Sequence, residues 1–204
     1  MANVYPEALE ALMELLKGLP GIGRRSAERM ALALYKWDDE KIAALAENLR
    51  TLKERIRLCP ECGNLADGET PDSLCRICAS PLRDPSCICV VEEATQIRVI
   101  EAGGVFKGVY HVLGGRIAPL EGKGVDSITL DALEKRLDKG IIRELILALS
   151  PDVEGQATVL YIARRLEGRG LKLSRLAQGL PAGSDLSYAD PATIAAALSG
   201  RIEF

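Results

Sequence analysis

The 204-residue sequence predicts a multidomain α+β protein. An all-helical unit, a four-cysteine finger and an α/β unit with a mostly parallel sheet precede a short C-terminal helical segment. Three observations predict this fold class. Apolar residues recur at helical spacing until about residue 57, four cysteines form two close pairs within residues 58–80, and short apolar runs alternate with helical patterns from residue 86 onward. Such alternation is typical of parallel strands covered by helices.

The N-terminal region contains three stretches that each have one apolar face. Apolar side chains recur at intervals of three and four residues over 9–16, 27–34 and 42–52. This spacing is that of an amphipathic helix. The sequence LPGIG, which starts at Leu19, separates the first two stretches with a turn. We therefore expect three helices here.

The region from residue 86 onward predicts the alternating elements of the α/β unit. Apolar runs predict strands over 88–91, 109–113, 145–149 and 171–173, and helical patterns predict helices over 95–102, 130–137 and 157–166. A final helix is expected to begin at Pro191, because the fixed φ of proline suits the first turn of a helix.

Composition excludes several classes of protein. The net charge of −3 argues against a protein that coats nucleic acid through its overall charge, although it leaves room for a local basic site. Aromatic residues make up 4% of the chain, which argues against a single-strand binder built on rows of stacked rings.

The sequence pattern also argues against a membrane span and a signal peptide. No apolar run approaches the roughly 18 residues of a membrane span, and glutamates in the first helical stretch argue against a signal peptide. We therefore expect a cytoplasmic protein without membrane contact. Six cysteines in such a chain indicate metal ligands or buried thiols rather than disulfides.

The strongest motif consists of two CxxC pairs, formed by Cys59 with Cys62 and by Cys75 with Cys78. Each pair places two thiolates at the span that one tetrahedral zinc ion needs. All four ligands are sulfur, and no His or carboxylate lies at ligand spacing, so the motif predicts a structural Zn²⁺ rather than a catalytic one. Four unrelated thiols are the alternative.

Other residues with reactive or charged side chains receive structural interpretations. Cys87 and Cys89 lie in an apolar strand and are expected in the core. His111 has no recognisable Ser or Cys partner and is expected to be a buried structural residue. Three basic residues of the glycine-rich middle region are expected to be solvated loop charges, with contact to an anionic group as the alternative: Lys107, Arg116 and Lys123.

The segment LPGIGRRSAERMA contains a second motif. Gly21 and Gly23 permit a tight hairpin, after which a helix begins with free backbone N–H groups. Such a helix end favours a phosphate group, and Arg25 and Arg29 share a face of this helix at i and i+4. The pattern predicts sequence-independent binding to a DNA backbone. A glycine-containing turn with solvated arginines is the alternative.

Acidic residues follow two of the predicted strands. Glu92 comes directly after Val91, and Asp152 and Glu154 lie in the segment SPDVEG. Open α/β sheets place ligand sites at the carboxyl ends of parallel strands. The three carboxylates could hold Mg²⁺ there, and solvated charge at strand ends is the alternative.

Taken in order, these pieces resemble the RecR family of bacterial recombination mediators. The chain contains LPGIGxRSAxRxA, the four-cysteine finger, ICVVEE, GxYHVLGGxxxPL, VEGxAT and AxGLPxGxDLxYAD in the order and spacing of that family. The resemblance covers nearly the whole chain. It implies a helix-hairpin-helix DNA-binding domain over 1–57, a zinc finger over 58–79, a Toprim domain over 80–175 and a Walker-B-like C-terminal segment over 176–204.

The resemblance also implies a non-catalytic role in gap repair. The family forms a homotetrameric ring with a hole wide enough for duplex DNA. With RecO, and in some settings RecF, it helps RecA replace single-strand binding protein (SSB) on gapped DNA. Arg25 and Arg29 match the residues of the family's hairpin that contact DNA. Acidic side chains of the Toprim region are expected to meet RecO: Glu92, Glu144, Asp152 and Glu154.

Two departures from the Toprim pattern weaken a Mg²⁺ site. Toprim enzymes carry DxDxEG, in which Ser150 here replaces the first aspartate, and Gln96 replaces the last residue of the family's ICVVEExxD. No GxxxxGK[ST] loop is present, so ATP hydrolysis is not expected. The alternatives are a Toprim-type metal-dependent nuclease or phosphotransferase, and a zinc module that binds only proteins.

Overall fold

The computed structural model describes residues 4–68 and 70–202, which form two compact units. The first unit ends at Arg55 and the second begins at Ile56. The first contains the helices α1 (Glu7–Lys17), α2 (Arg24–Tyr35) and α3 (Asp39–Arg55). The second contains β1 (Ile56–Leu58), β2 (Leu65–Asp67), β3 (Asp84–Val91), α4 (Ala94–Ala102), β4 (Gly108–Val112), α5 (Leu130–Leu137), β5 (Glu144–Leu147), α6 (Val153–Arg165), β6 (Lys172–Arg175) and α7 (Pro191–Ser199).

The core of the helical unit lies between α1 and α2. Met13 of α1 packs with Ala27 and Ala31 of α2, and all three side chains are buried. The two alanines lie four residues apart on one helix face, where their small side chains let the helices approach closely. The Tyr5 hydroxyl donates a 2.6 Å hydrogen bond to Glu28 at the edge of this core. These contacts fix α2 through its inward face.

Helix α3 forms where the apolar spacing predicts it, but three of its large apolar residues remain exposed. Ile42, Leu49 and Leu52 are 38%, 64% and 49% exposed. The one buried residue of this helix is Thr51, whose hydroxyl donates to the Glu47 carbonyl. The α3 apolar face, defined by Ile42, Leu49 and Leu52, is therefore available for contacts outside the described chain.

A short β-hairpin opens the second unit. Strands β1 and β2 are antiparallel, with Arg57 opposite Ala66, and the cysteines of the predicted finger follow β1 and precede β3. The sequence shows little periodicity here, and the hairpin was not predicted. Strands of three residues are too short to give an alternating pattern that can be recognised.

The α/β unit is built on a four-stranded parallel sheet with the strand order β4-β3-β5-β6. Strand β3 is central, and its Val90 pairs with His111 of β4 on one side and with Leu147 of β5 on the other. The mostly parallel sheet that the alternating pattern predicts is thus confirmed. All four of its strands have the same direction, so their carboxyl ends meet at one edge.

Helices cover both faces of this sheet. On one face, Ile88 and Leu145 pack against Leu133 of α5 and Ile162 of α6. On the other face, Val91 and other strand residues pack against α4 through Ile97. Successive side chains of a strand point to opposite faces, which is why adjacent residues of β3 belong to different cores.

The two strand cysteines differ in burial. Cys89 is 2% exposed and lies in the core beside α4, as predicted. Burial raises the pKa of its thiol to about 12. Cys87 is only partly buried, so the prediction that it belongs to the core is wrong. It lies in the middle of β3 and is the first residue of that strand to pair with β5, opposite Glu144.

None of the helices in residues 4–68 and 70–202 combines the length and the apolar composition that crossing a membrane requires.

The close contact of α1 and α2 gives a first prediction. Ala31→Leu forces a larger side chain between the two helices, and we expect it to destabilise the helical unit by about 1–3 kcal/mol. Ala33→Leu, on the exposed side of α2, is the matched control and should change stability by less than about 0.5 kcal/mol. Denaturant unfolding followed by the fluorescence of Trp37, the only tryptophan of the chain, reports on this unit. Equal midpoints for the two variants would contradict the packing described.

Candidate nucleic-acid interface and metal centre

The hairpin between α1 and α2 depends on glycine at one position. Gly21 has a φ of +78°, a left-handed conformation that costs other residues about 1–2 kcal/mol. The next residue, Ile22, donates its N–H to the Leu19 carbonyl at 3.1 Å and is partly buried against the α1–α2 core. Gly23 is extended, with φ −85° and ψ 173°, and forms the N-cap of α2. A Cβ at Gly23 would meet no atom within 4 Å, so the space that a side chain would occupy at this position is open.

The N-terminus of α2 is open. Its N-cap provides no side-chain hydrogen bond, and the first bond of the helix runs from the Ala27 N–H to the Gly23 carbonyl at 3.0 Å. The N–H groups of Arg24, Arg25 and Ser26 therefore have no acceptor among the described residues. These groups and the helix dipole attract an anion.

Basic side chains surround this helix end. Arg24, Arg25 and Arg29 are exposed, and the ion pairs found among the described residues involve other arginines. Glu28 lies on the same helix, but its carboxylate accepts the Tyr5 hydroxyl, and this hydrogen bond raises the pKa of Tyr5. The structure thus brings together all of the residues predicted for this interface: Gly21, Gly23, Arg25 and Arg29.

Four cysteine sulfurs form a cluster in the second unit. The Sγ atoms of Cys59, Cys62, Cys75 and Cys78 all lie within 4.8 Å of one another, and those of Cys62 and Cys75 are 3.6 Å apart. A tetrahedral site with metal–sulfur bonds of about 2.3 Å has sulfur–sulfur edges of about 3.8 Å. The cluster can therefore hold one metal ion. No other group of three or more histidine, cysteine or carboxylate ligands comes together in the described residues.

Local backbone geometry prepares the sulfurs for a cation. The N–H groups of Asn64 and Cys78 point at the sulfurs of Cys62 and Cys75, each at 3.5 Å. Hydrogen bonding to Cys75, together with burial, raises the pKa of the Cys62 thiol. A divalent cation would bind all four sulfurs in deprotonated form and would offset the repulsion between the thiolates.

The cluster is tied directly to the parallel sheet. The Val112 N–H of β4 donates a 2.8 Å hydrogen bond to the Cys62 carbonyl. Gly63 has a φ of +75°, and a Cβ there would press on Val112 at 3.3 Å. The first cysteine pair is thereby held against the end of a core strand.

Three of the predicted acidic residues lie at the carboxyl edge of the sheet. Glu92 follows β3, Asp152 caps α6, and Glu154 lies in the first turn of α6. Glu92 is 8% exposed, and its carboxylate accepts the Ser150 N–H at 2.7 Å. A Cβ at Gly155 would lie 2.0 Å from the Ser150 carbonyl oxygen, so this turn into α6 requires glycine.

Arg116 was predicted to be a solvated loop charge, and this prediction is wrong. Its guanidinium forms ion pairs with Asp152 and with Glu154, the latter at 2.9 Å between Nε and Oε2. The hydrogen bond from the Gly155 N–H and the nearby Arg116 charge lower the pKa of Asp152. The sequence offers no local signal for this contact, because Arg116 and Asp152 are separated by 36 positions.

Glu144 does not join the other predicted acidic residues. It begins β5, in register with Cys87 and Lys172, and therefore lies at the amino edge of the sheet. Lys172 and Ser174 donate hydrogen bonds of 3.0 Å to its carboxylate and lower its pKa. Its interaction with RecO stays a prediction, but it lies at the opposite edge from Glu92 and Asp152.

His111 has the structural role that was predicted. The ring is 3% exposed, and its Nε2 lies 3.0 Å from the Thr129 hydroxyl. That hydroxyl donates to the Val112 carbonyl, so it accepts the Nε2–H of His111. Burial lowers the pKa of His111 to about 4, which keeps the ring neutral at physiological pH. The ring links β4 to the segment that precedes α5.

Comparison with known proteins gives three family matches and many relatives. The models that match describe the RecR helix-hairpin-helix (residues 9–53), the Toprim domain (86–177) and the RecR C-terminal region (179–202). A recombination protein RecR from Acidothermus cellulolyticus is 46% identical over 97% of this chain and 98% of its own length. Proteins of the same name from Thermobifida fusca and Roseiflexus sp. are 45% and 43% identical, over 97% and 98% of this chain and 98% and 96% of their own lengths.

The two hairpin glycines give a second prediction. Gly21→Ala places a side chain at positive φ and should destabilise the helical unit by about 1–2 kcal/mol. Gly23→Ala is the matched variant. We expect it to change stability by about 0.5 kcal/mol or less, because the Cβ enters open space at an allowed φ. Denaturant unfolding followed by Trp37 fluorescence distinguishes the two, and a larger loss for Gly23→Ala would contradict the described hairpin.

Proposed function

Because the chain belongs to the RecR family of recombination proteins, we propose that it is a non-catalytic DNA-binding protein that acts in the repair of gapped DNA. The observation that carries this proposal is the open N-terminus of α2 beside the exposed Arg25 and Arg29. This helix end can receive a phosphate, and the two guanidinium groups can contact the same DNA strand.

The chemistry of this interface favours the DNA backbone over the bases. Free N–H groups and guanidinium groups recognise phosphate oxygens, which every sequence presents. Gly23 has no side chain to block the N-terminus of α2, so a phosphate can come close to the N–H groups. We therefore propose sequence-independent binding to duplex and gapped DNA.

An acidic chain needs several such interfaces to bind DNA well. The net charge of −3 opposes association with a polyanion, and one hairpin offers only a few contacts. A homotetrameric ring places several hairpins around one duplex, and linked weak contacts combine by multivalency. The exposed α3 apolar face supports such an assembly, because contiguous exposed apolar surface marks interaction sites.

The family's partners complete the proposed role. We propose that the ring acts with RecO, and where present RecF, to help RecA replace SSB on single-stranded DNA, in the bacterial cytoplasm. The acidic residues of the Toprim region would serve partner binding. Asp152 and Glu154 retain partly exposed carboxylates for this purpose, whereas that of Glu92 is buried.

The metal of the four-cysteine cluster is proposed to be Zn²⁺. Four thiolates in a tetrahedral arrangement suit zinc, and a site closed by four protein ligands is structural. The finger has little apolar core of its own: the buried residues of its cluster are Cys59, Cys62, Cys75 and Ala66. Metal binding would therefore supply much of the free energy that folds this segment.

A Toprim-type nuclease or phosphotransferase is the weaker candidate. Such an enzyme needs a dense set of carboxylates around a divalent metal. Here Ser150 replaces one carboxylate, and Arg116 is paired with two others. No feature of the described residues favours turnover over binding.

The arginine pair gives a third prediction. Arg25→Ala/Arg29→Ala should weaken binding to DNA of any sequence, because it removes phosphate contacts. The slope of log K against log salt should decrease in magnitude by about 1.8 for each hairpin that contacts the duplex. Fluorescence anisotropy with two duplexes of unrelated sequence, measured over a series of salt concentrations, checks both effects.

The matched control for the arginine pair is Arg98→Ala/Arg164→Ala, which changes the net charge equally. These exposed arginines lie on α4 and α6, outside the hairpin. The control should retain the slope of the unmodified protein within about 0.5. If both double variants lose the same slope, binding follows the overall charge, and the hairpin is not the contact.

The metal cluster gives a fourth prediction. Cys59→Ser should reduce the zinc content from about one ion per chain to a small fraction of that and lower the melting temperature of the second unit. Cys87→Ser, which alters a partly buried thiol outside the cluster, should retain the metal. Elemental analysis of the purified proteins measures the zinc directly. Full zinc occupancy in the Cys59 variant would rule out the cluster as the binding site.

A further inference from the structure

The acidic edge of the sheet does not fit the Mg²⁺ that a Toprim fold implies. The positions that would supply ligands are Ser150, Asp152 and Glu154 before and within α6, and Glu92 and Gln96 after β3. Mg²⁺ requires free carboxylate oxygens arranged near an octahedron. In this chain, protein groups already engage most of those oxygens.

Arg116 supplies the cation at this edge. Its Nη1 donates to Oδ2 of Asp152, and its Nε lies 2.9 Å from Oε2 of Glu154. One guanidinium thus bridges two carboxylates that would otherwise repel each other. Arg116 is only 32% exposed, so its charge is partly shielded from water and the interaction is stronger than that of a fully solvated pair.

Two of the oxygens that Arg116 does not contact accept backbone N–H groups. Oδ1 of Asp152 accepts the Gly155 N–H at 2.8 Å, which is the N-cap of α6. Oε1 of Glu92 accepts the Ser150 N–H at 2.7 Å. A metal ion that recruited these oxygens would compete with the cap of α6 and with the link between β3 and the segment that follows β5.

Gln96 has a similar structural role. Its Oε1 accepts the N–H groups of Glu92 and Glu93, at 2.8 and 3.1 Å, and it completes a capping box at the start of α4. The amide therefore closes the end of a helix where the family pattern has a carboxylate. It adds no charged ligand to the edge.

The loop that carries Arg116 is fixed by its neighbours. The Ile117 N–H donates to the Thr158 hydroxyl at 3.0 Å, and Thr158 is fully buried on α6. The same hydroxyl donates to the Glu154 carbonyl at 2.7 Å. Ala118, which follows, is also fully buried. The backbone beside Arg116 is thus attached to the same helix turn that carries the two carboxylates.

We propose that the Arg116 guanidinium is a built-in cation that replaces the divalent metal of the Toprim acidic edge, so that this edge binds no Mg²⁺. Because the Arg116 guanidinium takes the place of the metal ion, the net charge at this edge of the sheet does not depend on the metal concentration. The guanidinium also fixes Asp152 and Glu154 in the orientation that a partner would encounter. The inference rests on contacts within the second unit and does not depend on DNA binding by the hairpin.

The test measures Mn²⁺ binding, since this ion is a paramagnetic substitute for Mg²⁺ with the same preference for oxygen ligands. Purified protein that retains the metal of its four-cysteine cluster is titrated with Mn²⁺, and free Mn²⁺ is measured by electron paramagnetic resonance. We expect the unmodified protein and Asp152→Asn to bind Mn²⁺ equally weakly. Arg116→Gln should bind one Mn²⁺ per chain at least tenfold more tightly, and Arg116→Gln/Asp152→Asn should lose this gain.

The control Arg116→Lys retains the positive charge and should not gain the site. Tight Mn²⁺ binding by the unmodified protein that Asp152→Asn abolishes would overturn the inference, and this result needs no variant of Arg116. A folded Arg116→Gln that binds Mn²⁺ no better than the unmodified protein would also overturn it. Either result leaves the salt dependence of DNA binding unaffected, so failure here is distinguishable from failure of the proposed function.

Discussion

Arginine side chains in this chain differ in whether a carboxylate within the described residues neutralises them. At the start of α2, Arg25 and Arg29 remain exposed while the nearby Glu28 is engaged by Tyr5. At the carboxyl edge of the sheet, Arg116 forms ion pairs with Asp152 and Glu154. A free guanidinium beside open helix N–H groups attracts phosphate, whereas a paired one excludes a second cation. We propose that this difference in pairing determines which part of an acidic protein binds a polyanion.

The cysteine cluster contributes to the fold and takes no part in this pairing of arginines with carboxylates. The finger is short, its strands have three residues each, and its buried side chains are mainly sulfur ligands. A bound cation would compensate for the small apolar core, and the hydrogen bond from Val112 to Cys62 attaches the finger to β4. The cluster and the parallel sheet therefore form parts of one unit, which begins at Ile56.

Features set by local spacing could be predicted from the sequence, and features set by distant contacts could not. Apolar periodicity predicts α1, α2 and the helices of the α/β unit, and CxxC spacing predicts the metal ligands, because each depends on neighbours in the chain. The same periodicity predicts α3 but does not show that its apolar face stays exposed. The bridge from Arg116 to Asp152 spans 36 positions and leaves no local pattern. The separation of Glu144 from the other acidic residues follows from strand direction, which places it at the amino edge.

In the proposed function, the cations on which DNA binding depends belong to the side chains of the protein itself. The direct measurement is a gel-shift titration of an end-labelled gapped duplex, with and without Mg²⁺ at matched ionic strength, in which bound, free and cleaved DNA are separated on one gel. We expect full binding without Mg²⁺, no tighter binding with it, and intact DNA in both conditions. Binding or cleavage that occurs only when Mg²⁺ is added would contradict the proposed function.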